Sequence, residues 1–130
     1  MSPHIRELVE MDFESRPEVR DGCLRVVEFI EANHRDQLRH LSYAALKRIS
    51  GVEHEAVIAL AQYLSGARMG VLEMKFEFIC GNYISEVEPA VLRQARLEGR
   101  FYHPKEGRPV DDFESCIFMY FAPGHTVDGE

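Results

Sequence analysis

Five side chains within twelve residues, His103, Glu106, Asp111, Asp112 and Glu114, are of the types that move protons or hold a divalent cation. Their spacing follows no known ion loop, and a polar loop running into a strand accounts for the same residues more simply. Cys23, His34 and His40 form a second set of metal-ligating types. They lack the tight paired spacing, such as Cys-x-x-Cys, through which zinc sites are usually built. The chain also carries no Gly-rich phosphate loop, no nucleophile elbow and no His-Glu-x-x-His pattern. The expectation is a protein that is not an enzyme, with no metal and no cofactor.

Charge offers other chemistry. Arg93, Arg96 and Arg100 recur at i, i+3 and i+7, which on a continuous helix places them on one face able to dock an acidic segment or a phosphate backbone. A solvated helix face accounts for the same stripe. Arg35, Arg39, Lys47 and Arg48 form a second local basic cluster. Both sit in an acidic chain of 130 residues with a formal net charge of -7, whose average surface repels nucleic acid and anionic membrane. The contrast is sharpest late in the chain. Residues 89–108 hold five basic and two acidic side chains, whereas residues 109–130 hold five acids and neither Lys nor Arg.

The elements that must position these residues follow from apolar spacing. Cys23, Leu24, Val26, Val27 and Ile30 recur at threes and fours, which predicts a helix from Pro17 to about Asn33. Ser42 can cap a second helix carrying Ala45, Leu46 and Ile49, ended by Gly51. Val57, Leu60, Ala61 and Leu64 line a third, from about Glu53 to Ser65. Leu72, Met74, Phe76 and Phe78 then alternate with Glu73, Lys75 and Glu77, the period of a strand with one face buried. Gly81-Asn82 turns that strand into Tyr83–Val87, giving a hairpin over residues 71–87.

Pro89 and Gly99 frame a fourth helix through Val91, Leu92 and Ala95. His103–Asp112, with two prolines and a glycine, reads as a loop. Phe113–Phe121, apolar on both alternating faces, reads as a strand covered on both sides, by the fourth helix or by a partner.

Residues 42–64 resemble a helix-turn-helix, two helices joined at Ser50-Gly51-Val52 with Val57 packing back between them. Together with the first helix and the hairpin, residues 17–87 resemble a winged-helix domain. The expected fold is α+β. A winged-helix-like three-helix core with a β-hairpin is followed by an extra helix and a C-terminal strand joining a small antiparallel sheet. In nucleic-acid-binding winged helices the third helix offers cations or amides to the major groove. Here it offers Glu53, His54 and Glu55, and the hairpin adds Glu73, Glu77, Glu86 and Glu88 against Lys75.

The leading expectation is therefore a non-catalytic regulatory or adaptor module that binds another protein, with a homodimer possible. Its contact residues are His54, Glu55, Ile58 and Tyr63 together with Arg93, Arg96 and Arg100. One alternative is a DNA-binding transcriptional regulator using Arg35, Arg39, Lys47 and Arg48. Another is a small acidic inhibitor or immunity protein using Asp111, Asp112 and Glu114.

At 45% hydrophobic content the chain can bury one real core, and a single domain over 1–130 is expected, with 16–122 folded and both ends loose. No apolar run reaches membrane-spanning length and no signal-peptide pattern opens the chain. Three well-separated cysteines, Cys23, Cys80 and Cys116, fit reduced thiols in a cytoplasmic protein with no membrane partner.

Overall fold

A computed structural model describes residues 3–33 and 35–128, so the His34 part of the Cys23, His34 and His40 reading lies outside the described residues. The fold is α+β, with helices and a three-stranded antiparallel sheet in which β1 (Leu72–Cys80) lies between β2 (Tyr83–Val87) and β3 (Ile117–Pro123). The chain divides into two compact units, Met1–Met74 with Phe121–Glu130, and Lys75–Tyr120. No helix among the described residues is long and apolar enough to cross a membrane.

The first unit holds α1 (Pro3–Asp12), α2 (Pro17–Ala32), α3 (Tyr43–Ser50), α4 (His54–Ser65) and the short α6 (His125–Asp128). In α2 the three-and-four spacing becomes a fully buried stripe of Val19, Cys23, Val26, Val27 and Ile30. Burial pushes the Cys23 thiol up to about 12, as for an inert packing group. Ser42 caps α3 through Oγ, which accepts from the Ala45 amide at 3.1 Å. Helices α2, α3 and α4 pack on one another, and α1 packs on α2.

Among the glycines of this bundle, the one that leaves least room is Gly22 in α2. A Cβ there would stand 2.7 Å from Val52 Cγ1 and 3.3 Å from Leu60 Cδ2. Beside it, Arg25 Nη1 donates to the Ser50 carbonyl at 2.6 Å and satisfies an acceptor at the end of α3.

Residues 1–15 are expected to be loose, but Pro3–Asp12 is helical, with Ile5 and Val9 buried. The tail expected to be loose from Pro123 is likewise held, since Gly124 donates to the Val71 carbonyl at 2.8 Å and Thr126 to Gly70 at 3.0 Å. The two strands of chain cross so closely that a Cβ on Gly124 would lie 2.2 Å from the Gly70 oxygen. A Cβ on Gly70, whose φ is +59°, would run into the His125 ring. Leu41 and Phe121 add a reciprocal pair of backbone hydrogen bonds at 2.8 and 2.7 Å.

The second unit carries most of β1 (Leu72–Cys80), β2 (Tyr83–Val87), α5 (Pro89–Glu98) and the start of β3 (Ile117–Pro123). The hairpin register pairs Phe76 with Val87, Phe78 with Ser85 and Cys80 with Tyr83. One face thus gathers the apolar residues that pack on Leu92 and Ala95 of α5 and on Phe101 and Phe113. Cys80 and Cys116, both free thiols, are half-buried against the same cluster.

The C-terminal strand begins later than its alternation suggests. Phe113–Cys116 is a 3-10 turn, and the strand starts at Ile117. Nor is it covered on both sides throughout, because Phe118 is half-exposed.

The Gly22 contact yields a stability test. Gly22→Leu must displace Val52 and Leu60, and overpacking of that kind costs roughly 1–3 kcal/mol. Urea unfolding followed by circular dichroism should show the loss. An unchanged midpoint would mean that α2 does not approach the α3–α4 turn this closely.

Candidate functional site

The residues singled out by type divide into those that hold the fold together and those left facing solvent. His103 belongs to the first group. It is buried, and its Nδ1 accepts from the Lys105 and Glu106 amides at 3.2 and 3.1 Å. Its ring lies 5.4 Å from Phe78 and 4.6 Å from Tyr83. The imidazole therefore organises a tight turn that also closes with the Gly107 amide on the His103 carbonyl, and its acceptor nitrogen is occupied.

The carboxylates around it do not converge. Glu106 pairs with Arg108, whose guanidinium holds the Glu106 carboxyl below its ordinary range. Glu114 receives Arg96 through two bonds of 2.8 and 3.0 Å, which likewise lowers its pKa. Asp111 and Asp112 are exposed. Among the described residues no group of His, Cys, Asp or Glu is arranged to hold a metal ion.

The arginine stripe is split. Helix α5 ends at Glu98, with Gly99 at φ 72°, so Arg100 leaves the helical face that Arg93 and Arg96 share. Arg96 is occupied by Glu114 and lies 6.0 Å from the centre of the Phe76 ring. Arg93 and Arg100 are exposed and have no ion pair among the described residues.

On α4, His54 and Glu55 are exposed and Ile58 is half-buried, in keeping with a solvent-facing surface. Tyr63 is not part of a free surface. Its hydroxyl donates to Asp12 Oδ2 at 2.6 Å, and its ring meets Phe13 edge-on at 4.6 Å. Burial first, then that hydrogen bond, raises the phenol pKa. Arg68 and then Tyr63 hold the Asp12 carboxyl below its ordinary value, so these three side chains tie the end of α1 to α4. In the basic cluster, Arg35 lies in the 3-10 turn Arg35–Leu38, Arg39 follows it, and Lys47 and Arg48 fall in the last turn of α3; all four are exposed.

What type-by-type reading missed is an apolar groove of about 570 Å3 along α5. Its floor is Val87, Ala95 and Phe101, all members of the buried cluster around Phe78. Val91, 53% exposed, and Tyr102, 49% exposed, flank it. Glu88 lies at the start of α5, and Glu98 and Arg100 at its end. Among the described residues, five of the six large apolar side chains left exposed fall in this unit: Ile84, Val91, Leu97, Tyr102 and Phe118. The sequence signal was the repeat of Ala90, Val91, Gln94 and Ala95 on one side of α5, opposite the arginines. Comparison with protein-family models, curated proteins and solved structures found no match to this chain.

Two outcomes follow. His103→Ala removes a buried ring and leaves two amides without their acceptor, at a cost of about 2–4 kcal/mol in chemical denaturation. Full retention of stability would deny the histidine its turn-forming role. The second concerns acid. Because the folded state lowers the Asp12 pKa, its tether is present above the ordinary value of 3.8 and is lost as pH falls through the lowered value. Hydrogen exchange in α1, corrected for intrinsic rates, should accelerate across that window and lose this dependence in Asp12→Asn. An identical profile in the variant would refute the tether.

Proposed function

We propose that this protein is a non-catalytic regulatory or adaptor module that binds another protein, built on a winged-helix-like scaffold. The scaffold reading is supported by three mutually packed helices followed directly by a hairpin, and by the backbone bridge from Leu41. The observation that carries the binding reading is the concentration of exposed apolar side chains in Lys75–Tyr120, two of which, Val91 and Tyr102, line an apolar groove. On α4, the element that nucleic-acid-binding relatives of this scaffold place in a groove of DNA, the exposed groups are His54, Glu55 and Gln62, and the helix carries no Lys or Arg.

DNA binding is the second reading, favoured by exposed Arg39, Lys47 and Arg48 in one stretch of the chain. Salt and charge separate the two, since phosphate contacts weaken steeply with added salt while an apolar-centred contact does not. The full chain, immobilised and exposed to native cell extract with and without nuclease, should retain a protein partner at low and at physiological salt. The paired substitution Lys47→Glu and Arg48→Glu should leave that capture unchanged. Recovery of nucleic acid that disappears with salt, with nuclease and in the charge-reversed variant would replace this reading with the DNA-binding one.

A further inference from the structure

The groove along α5 is more specific than a general sticky surface. Its lining runs from Ala90 to Glu98, about 12 Å at 1.5 Å per residue. That length matches about four residues of extended peptide. Its floor belongs to the buried cluster, so its shape exists before any partner arrives. The half-exposed Val91 and Tyr102 add apolar surface to its lining that is open to solvent in the free protein.

Charge is uneven along this length. At the end of α5, Glu98 and Arg100 offset each other. At its start, Glu86 is engaged by Lys75 at 3.3 Å, but Glu88 is exposed and has no ion pair among the described residues. One unbalanced carboxylate therefore marks one end of an apolar trough.

We infer that this groove takes a short linear segment of another protein, with apolar side chains along α5 and a Lys or Arg placed at the Glu88 end. The inference rests on the protein-binding reading and adds the chemistry of the partner. Apolar contact supplies affinity, and the Glu88 carboxylate sets the direction in which the segment lies, because reversal would strand the cation away from its counter-charge.

The test uses the full chain and a displayed library of random ten-residue peptides as the probe. Enriched peptides should carry apolar residues next to a Lys or Arg. A synthetic peptide of the enriched sequence should lose about tenfold in affinity on Val91→Asp and on Tyr102→Ser, both exposed positions whose change spares the core. Glu88→Lys should cost about threefold or more, and this loss should shrink when the peptide's cation is replaced by Ala.

Binding that is indifferent to all three variants would overturn the groove while leaving the protein-binding reading intact. Failure to enrich any peptide would also overturn it, with the extract capture deciding the broader reading independently. Self-association of the chain that Val91→Asp abolishes would place a second copy in the groove and overturn the assignment to a foreign peptide.

Discussion

Phe78 has no exposed surface, and the second unit is arranged around that fact. Full burial of a phenylalanine is worth roughly 1.5–3 kcal/mol, and here it is achieved by bringing in distant rings. Phe101 lies 5.0 Å away, His103 5.4 Å and Tyr83 6.2 Å. Enclosing Phe78 helps to place the stretch from Phe101 to His103, which is also paired with the returning chain through the Val110 amide on the Phe101 carbonyl at 2.9 Å and the His103 amide on the Arg108 carbonyl at 2.8 Å, and the His103 ring orders the turn beyond. Val87 and Ala95 join the same cluster from the strand and helix side. The groove is the outer surface of this arrangement. Its floor cannot move without disturbing the core beneath it, because interiors at this density transmit displacement rather than absorb it.

The regular elements were largely legible in the sequence, because each is dictated by residues close together in the chain. The stripe from Cys23 to Ile30, the Ser42 cap, the alternation from Leu72 to Phe78 and the Pro89–Gly99 frame all mark elements that form within a few residues of those positions. Helix α1 was illegible for the opposite reason. Of its apolar residues Ile5, Leu8, Val9 and Met11, set among charged neighbours, only Ile5 and Val9 are buried, and the contact anchoring its end joins Asp12 to Tyr63, 51 residues away. The 3-10 turn at Phe113–Cys116 was hidden because Cys116 continues the apolar run of the strand backward from Ile117, although Glu114 and Ser115 interrupt it. The candidate site was less legible still. The Arg93, Arg96 and Arg100 periodicity assumes a helix through Arg100, whereas Gly99 ends it, and the groove needs Tyr102 and Pro104 folded back along α5.

Side chains chosen for their chemistry turn out to be employed in construction. His103 shapes a turn, Tyr63 and Asp12 tie two helices, Arg96 and Glu114 join α5 to the turn before β3, and Arg25 caps α3. Polar groups that find partners inside a fold are removed from the pool available to ligands. The exposed charges without an ion pair among the described residues include Glu88 and Arg100 in the lining of the apolar groove, Arg93 on the other side of α5, and Arg39, Lys47 and Arg48 in a stretch of their own.

The crossing of Gly70 and Gly124 carries a different kind of information. Neither position has room for a single added methyl, one facing a backbone oxygen and the other a ring. Natural variation could alter the groove, the surface charges and much of the core by compensating exchanges, and an exchange at His125 could open space beside Gly70, but no side-chain exchange elsewhere creates space between Gly124 and the Gly70 carbonyl. A distant descendant of this protein would therefore be recognisable less by its functional surface than by the glycine at the crossing, 54 positions after the positive-φ glycine that it touches.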